Sequence, residues 1–277
     1  MIRYDSHIHS AYSSDSGTPV QAQLDAAVSR GLSGLCITDH MDYSFPPDQF
    51  ESVLPEGQVP FEFDIQTYEK ELSELRQRYP DLDILTGVEC GLQTRLDVLD
   101  KNRELSNDPD LDYIIGSLHL TGRQDPYYPK FWENRDPSAC IRQYLEELYD
   151  NLCAFTGFDS LGHLDYIVRY APDSFLYEPA QYRELTEEIL RRLIRSDIAL
   201  EINTSGYRKG PYPNPHPDIL LWYRELGGEM ITIGSDAHHP EFVASRFEEA
   251  SSLLKRTGLH QYVTFHRRRP RFHSLDS

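Results

Sequence analysis

The 277 residues predict an α/β fold whose parallel strands close into a barrel. Three observations carry that prediction. Short apolar runs alternate with amphipathic stretches along the chain, the order of strand, loop, helix and strand that builds a parallel sheet. Residues able to do chemistry stand at the carboxyl ends of six of the seven expected strands, the end at which closed α/β barrels assemble their sites. An open doubly wound sheet gathers its site at a switch point instead, so contributions from so many strands favour closure. The length suits one barrel, which commonly takes about 250 residues. No fixed-period repeat or low-complexity linker divides the chain, so residues 1–277 read as one domain.

The first strand opens the stretch Tyr4 to Asp15, Y-D-S-H-I-H-S-A-Y-S-S-D, in which Arg3, Asp5, His7 and His9 share one parity. Residues of one parity face the same side of a strand, so the two imidazoles project together. Thr18-Pro19 reads as an N-cap followed by proline at the first helical position. Val20, Leu24, Ala27 and Val28 then form a helical stripe that ends at Gly31. The run from Leu32 to Thr38 is the kind of strand buried in a parallel sheet, and it ends in Asp39-His40. Tyr43 to Phe63, rich in proline and aromatic residues, lacks periodicity and reads as a long loop.

A helix over Asp64 to Tyr79 stops before Pro80, and the third strand, Ile84 to Cys90, carries Glu89 near its end. A short helix follows at Leu96 to Leu105, then a fourth strand from Tyr113 to His119. The second aromatic loop, Asp125 to Trp132, leads into an amphipathic helix from Ser138 to Phe155. Asp159 to Asp165 is the fifth strand and carries His163. A helix over Ala180 to Arg195 precedes the sixth strand, Ile198 to Asn203. Pro217 to Leu226 is helical, and the seventh strand, Met230 to His239, ends in a cluster of ligand-type residues. A last helix (Glu241 to Arg256) and a final strand (Tyr262 to Phe265) complete the order.

Composition narrows the function. Lysine and arginine number 27 against 45 acidic residues, a net charge of −18. Nucleic acids and anionic membranes are recognised through basic residues, so neither is an expected partner. Arg267-Arg268-Arg269-Pro270-Arg271 is a local exception, read as a solvated tail or edge. An acidic protein that handles an anionic substrate needs bound cations to reverse the local field. No apolar leader precedes the first strand and no window reaches the roughly 18 apolar residues of a membrane span, so a cytoplasmic protein is expected. The four cysteines form no C-x-x-C pair and read as reduced thiols.

Taken singly, each polar motif has an ordinary explanation: a surface His-x-His, a turn, a satisfied core histidine. Together, His7, His9, Asp15, His40, Glu89, His119, His163, Asp236 and His238 stand at corresponding ends of successive strands. Nine such groups converging at one mouth are costly to bury unless cations neutralise them. Nitrogen and oxygen donors without thiolate suit Zn, Mn, Fe or Co. Nine donors exceed the needs of two ions, so three divalent metals are expected.

These motifs, H-I-H, T-D-H, G-V-E, S-L-H, G-H-L-D and S-D-A-H in that order between residues 4 and 239, resemble the PHP (polymerase and histidinol phosphatase) family. S-S-D-S-G, H-L-D-Y-I-V-R-Y and E-I-N-T-S-G-Y-R-K-G resemble its monofunctional histidinol-phosphate phosphatase branch. The resemblance implies a distorted seven-stranded (β/α)7 barrel, TIM-barrel-like, around a trinuclear site. It implies that His7, His9, Glu89 and Asp236 hold one metal. Glu89 then bridges to a second that also takes His119 and His163, and Asp15, His40 and His238 hold the third. Some family members have histidine where Asp15 stands, and an oxygen donor there shifts that site towards Mn or Fe. Asp5, Asp39 and Asp165 flank these residues and are candidates for orienting the imidazoles.

The implied activity is hydrolysis of a phosphomonoester, L-histidinol phosphate, by a metal-bridging hydroxide, with Glu89 and Asp236 at the centre. Arg169 and Arg208 are the candidate phosphate clamps, because guanidinium matches phosphate oxygens bidentately. His239, beside His238, is a candidate for touching phosphate or protonating the leaving group. Asp42-Tyr43 and the loop of Asp125 to Trp132 are candidate walls for the rest of the substrate. Three alternatives remain: another phosphomonoester or nucleotide, a non-catalytic scaffold, and amide hydrolysis. The scaffold is disfavoured because all nine donors are present. Amide hydrolysis is disfavoured because no lysine ends a strand.

Overall fold

The computed structural model describes residues 1–50, 54 and 58–276. Part of the loop expected over Tyr43 to Phe63, residues 51–53 and 55–57, lies outside the described residues. Seven parallel strands form one sheet in sequence order: β1 (Tyr4–Ile8), β2 (Gly34–Met41), β3 (Asp83–Gly91), β4 (Tyr113–Ser117), β5 (Ser160–Leu161), β6 (Ala199–Asn203) and β7 (Ile231–Gly234). The sheet closes at its carboxyl rim, where the Asp236 N–H donates to the His7 carbonyl at 2.8 Å and the His9 N–H to that of Ala237 at 3.0 Å. The expected barrel is present.

Its helices are α1 (Val20–Ser29), α2 (Ile65–Arg78), α3 (Leu96–Leu105), α4 (Pro129–Trp132), α5 (Pro137–Ala154), α6 (Arg183–Arg195), α7 (Pro217–Glu225) and α8 (Phe247–Arg256). Local chemistry sets their ends. Asp64 starts α2 by accepting the Thr67 N–H, and Asp136 starts α5 by accepting those of Ser138 and Ala139. Tyr68, Leu72 and Leu75 of α2, and Ile189, Leu190 and Leu193 of α6, turn the apolar stripe of each helix inward. None of these helices is long and apolar enough to cross a membrane. All four cysteines are free, and Cys153 is exposed.

Several boundaries differ from expectation for physical reasons. Thr18 does not cap α1. Pro19 takes that position, and the Thr18 hydroxyl donates to the His238 carbonyl at 2.7 Å instead, tying the chain to the rim. The fifth and seventh strands shorten to Ser160–Leu161 and Ile231–Gly234, and past Gly234 the chain keeps only the isolated pairing of Ala237 with Ile8. Pro240 opens a 3-10 turn ahead of α8, which therefore begins at Phe247 rather than Glu241.

The largest difference lies at the opposite end of the barrel. The expected last strand is the first half of an antiparallel hairpin, β8 (Gln261–His266) and β9 (Arg269–Ser274). The arginine-rich run is thus a turn and an exposed edge strand, the solvated edge that was expected rather than a tail, with Arg268 alone turned inward. Val263 and Phe265 of β8 pack with Cys36, Leu85, Tyr113, Ile115 and Ala199 in a closed apolar floor. The Phe265 ring stacks on Tyr113 at 5.4 Å. Arg267 and Arg268 form the two-residue turn at φ 49° and 61°, a left-handed geometry usually given to Asn-Gly. Bonds offset that strain: Arg267 N–H donates to Asp112 Oδ1 at 3.0 Å, and the Arg268 guanidinium pairs with Asp159 and reaches the Ser106 and Gly157 carbonyls.

Candidate metal centre and active site

Glu89 is the hub of the carboxyl rim. It is fully buried near the end of β3, and five imidazoles face its two oxygens. Oε2 lies 3.2 Å from His7 Nε2, 3.5 Å from His9 Nε2 and 3.0 Å from His40 Nδ1. Oε1 lies 2.9 Å from His163 Nε2 and 3.2 Å from His119 Nε2, and accepts the Ser117 hydroxyl at 2.6 Å. Burial opposes charge on this carboxyl, but His7, His119 and His40 outweigh it and hold Glu89 well below the ordinary glutamate range.

The remaining donors complete one cluster. Asp15 Oδ2 stands 3.1 Å from His238 Nε2 and 3.7 Å from His40 Nε2. His40 therefore faces Glu89 with one nitrogen and Asp15 with the other. His9 is stacked between His40 and His238, each ring 4.2 Å away. Asp236 Oδ1 lies 3.5 Å from His9 Nε2 and 3.6 Å from His238 Nδ1. Asp236 has φ +55°, a left-handed conformation uncommon for non-glycine residues and concentrated at functional sites. The structure thus brings all nine sequence-predicted residues to one rim.

The donor set fits cations. His7 donates its Nδ1 proton to Glu201 Oε1 at 2.6 Å, and His9 donates its own to the Ser13 hydroxyl at 3.1 Å. Their Nε2 atoms stand 3.0 Å apart, and Glu201, Glu89 and Asp236 overcome burial to hold His7 well above the ordinary imidazole range, so without a cation a proton sits between the two rings. A bound cation would take the place of that proton. Glu89 Oε2 and His40 Nδ1, both buried, have no hydrogen-bond partner, a cost that metal coordination removes. Burial and the neighbouring His238 and His40 hold His9 well below the ordinary imidazole range, and burial lowers His163 too. Neutral imidazole is the ligating form.

The imidazoles are oriented by two carboxylates: Glu201, not among the expected candidates, and Asp42, expected as a substrate wall but buried behind His119 instead. Asp42 Oδ2 accepts from His119 Nδ1 at 2.7 Å. Burial lowers His119, but Asp42 and Glu89 prevail and raise it to about 10. Glu201, wholly buried in β6, accepts from His7 through Oε1 and from the His163 N–H through Oε2 at 2.8 Å. Gly234 makes room for it: a Cβ there would collide with His7 Cβ and crowd Glu201 Oε1. Its sequence signal was a charge inside the otherwise apolar run A-L-E-I-N.

The three carboxylates expected to orient imidazoles do other work. Asp5 accepts from backbone N–H groups of Ser235, Ala244 and His7. Asp39 binds Ser10 and Ser13, and so reaches His9 only through the Ser13 hydroxyl. Asp165 holds Asn214 at 2.7 Å and the His216 N–H at 2.9 Å. Asn214 in turn accepts from Arg169.

Among the phosphate candidates, Arg169 is largely buried at the cluster's edge. It donates to Asp236 Oδ2 at 3.1 Å, Asn214 Oδ1 at 3.0 Å and Asn203 Oδ1 at 3.3 Å. Arg208 donates to the Ser235 carbonyl at 2.6 Å and the Asp236 carbonyl at 3.2 Å, and its guanidinium lies over Phe242. His239 is exposed, with its ring edge-on to Phe242 at 6.3 Å, outside the cluster. A cavity of about 940 Å³ opens beside Arg169, lined by Tyr127, Trp132, Tyr170, Tyr177, Tyr212 and His216 among others.

An α/β barrel with this rim matches known proteins along most of its length. The PHP domain model matches residues 5–205, and the chain belongs to the PHP domain family. It is 32% identical to the histidinol-phosphatase of Lactococcus lactis subsp. lactis, over 96% of this chain and 95% of that protein. A probable histidinol-phosphatase of Clostridium acetobutylicum is 30% identical, over 92% and 94%. Among solved structures, histidinol phosphate phosphatase from Lactococcus lactis, complexed with Zn, L-histidinol and phosphate, superposes with a TM-score of 0.84. It is 28% identical over 97% of this chain and 98% of that one.

Proposed function

We propose that this chain is a metal-dependent phosphatase that hydrolyses L-histidinol phosphate to L-histidinol and phosphate. The observation that carries the reading is the rim itself, where nine donors from six strand ends converge with Glu89 as their hub. The names of its relatives, and the zinc, histidinol and phosphate in one of them, support the substrate. Three divalent cations would be held by His7, His9, Glu89 and Asp236, by Glu89, His119 and His163, and by Asp15, His40 and His238. When bound, they supply Lewis acidity towards phosphoryl oxygens and lower the pKa of water so that hydroxide forms near neutral pH.

The chain's own residues do the rest. Glu201, Asp42 and Ser13 keep protons on the outward nitrogens of His7, His119 and His9, and so aim the inward ones at the site. Arg169 is steered by Asn203, Asn214 and Asp236, and keeps an N–H of its fork for a phosphate oxygen. Arg208 braces the backbone that carries Asp236 and offers a second positive charge at the phosphate. His239 is the nearby group that can supply a proton from the solvent side. Cytoplasmic residence follows from the same proposal, as does a single working domain.

The test is phosphate release from a panel of monoesters at equal metal loading. The reading expects histidinol phosphate to lead in kcat/KM by at least about a hundredfold, and chelation to abolish turnover until metal is restored. A nucleotide or sugar phosphate that leads instead would replace the substrate while leaving the chemistry intact. Undiminished turnover in chelator would end the metal mechanism.

A further inference from the structure

Four rim carboxylates already have positive or imidazole partners: Glu89 faces five imidazoles, Asp42 binds His119, Asp15 faces His238, and Asp236 pairs with Arg169. Asp125 does not. Its Oδ1 accepts the Tyr127 N–H at 2.9 Å, and its backbone N–H donates to Gln49 Oε1 at 3.2 Å. Among the described residues no lysine, arginine or histidine side chain bonds its carboxyl. It is half-buried, and burial pushes it up to about 6 against the pull of the Tyr127 N–H, with His119 and His40 opposing the rise and Asp42 adding to it. Its own charge reaches Tyr166.

Ring contacts tie the loop that carries this carboxyl to the rim, and Tyr127, whose N–H it accepts, lines the cavity that Arg169 borders. The Tyr166 ring lies 5.5 Å from His119 and 4.9 Å from His163. Tyr170 lies 5.1 Å from Tyr166, and Tyr127 lies 5.3 Å from Tyr170. A wall of tyrosine rings therefore runs from the imidazole cluster to the loop that carries Asp125. A desolvated carboxylate without a cation, at the mouth of a site, is a vacancy for a positively charged ligand group.

The next step rests on histidinol phosphate being the substrate. There the carbon bearing the ammonium is bonded to the carbon of the ester, so nitrogen lies about 4–5 Å from phosphorus by ordinary bond lengths. An anion that pairs with it must stand at the rim itself, not at the far side of the cavity. We propose that Asp125 receives the substrate's ammonium and so selects amino-alcohol phosphates over esters of the same shape without the amine.

The experiment uses the metal-loaded enzyme and two substrates, histidinol phosphate and its des-amino analogue, 3-(imidazol-4-yl)propyl phosphate. Asp125→Asn keeps an oxygen for the Tyr127 N–H and removes only the charge. The expected result is a fall in kcat/KM of about 10- to 100-fold on histidinol phosphate, mostly through KM, with the analogue unchanged. An equal loss on both substrates, or none on either, overturns the proposal. So does the selective loss appearing in Glu133→Gln, which alters a carboxylate lining the cavity. Wild-type enzyme that leaves histidinol phosphate intact overturns the underlying substrate reading instead, before any variant is compared.

Discussion

The two ends of the barrel bury charge in opposite ways. At the floor, Arg268 and Asp159 satisfy one another: Asp159 also accepts the Ile114 N–H at 2.8 Å, and Arg268 reaches two carbonyls. The same end holds Val263, Phe265, Tyr113 and Leu85 in one apolar cluster. At the rim, Glu89 is buried more deeply than Arg268, and Glu89 Oε2, His40 Nδ1 and Asp42 Oδ1 have no hydrogen-bond partner. A buried polar group left unpaired costs about 1–3 kcal/mol, so the rim is built at the expense of stability. The floor's ion pair completes itself, with Tyr113 Oη and His266 Nε2 left over, whereas the unpaired atoms of the rim belong to the donor cluster that suits cations. Polar burial thus serves the fold at one end and chemistry at the other.

The sharpest way to break that contrast is to remove the hub. Glu89→Ala takes away the anion that five imidazoles share, and the cluster then has no bridging oxygen. Metal content is expected to fall, and turnover to drop by at least about a thousandfold, the equivalent of some 4 kcal/mol of lost Lewis-acid stabilisation. Cooperative unfolding should persist, because the apolar floor and the helices are untouched. Elemental analysis, phosphate release and a thermal melt on one preparation check all three. A variant that retains its metals and its rate would show that Glu89 is merely a core carboxylate.

The next effect falls on stability. Arg268→Ala at the floor leaves Asp159 buried without its partner, and breaking such a pair costs about 3 kcal/mol. Denaturant unfolding should show that loss, while kcat per folded molecule and metal stoichiometry stay at wild-type values. Lost metal in this variant would mean that the two ends are not separable.

How much of this was legible in the sequence follows from the same contrast. The rim was readable because its donors sit where short strands end, and the period of those strands places them together: His7 and His9 by parity, the others by position. Glu201 was not among the candidates and Asp42 was given another role, for different reasons. Glu201 lies within a strand, where a lone charge resembles a core ion pair, and only the third dimension shows His7 and His163 on either side of it. Asp42 falls just past β2, at the start of an aperiodic stretch. The floor hairpin was hidden because R-R-R-P-R has the composition of a solvated edge. Its turn adopts positive φ at two arginines, which only the contacts with Asp112, Asp159, Ser106 and Gly157 make tolerable.

The smallest effect sharpens the comparison most, because it concerns a carboxylate that binds no metal itself. Glu201 accepts three donors: His7 Nδ1–H at Oε1, and the His163 N–H and Asn203 Nδ2 at Oε2. Glu201→Gln keeps the shape but has one acceptor oxygen instead of two. If that oxygen stays with His163 and Asn203, the amide NH2 faces His7 Nδ1, which must then accept. The His7 proton moves to Nε2, the nitrogen 3.2 Å from Glu89 that a cation needs bare. If the oxygen turns to His7 instead, the buried His163 N–H and Asn203 lose their acceptor, and His163 is no longer held towards Glu89. Either outcome weakens metal binding, and orienting groups of this kind are worth about 10- to 100-fold in affinity. Metal titration should show that loss, and excess metal should restore most of the turnover, which a collapsed core would not permit. Unchanged affinity beside a lowered melting temperature would move Glu201 from the rim's logic to the floor's, as a carboxylate that serves packing alone.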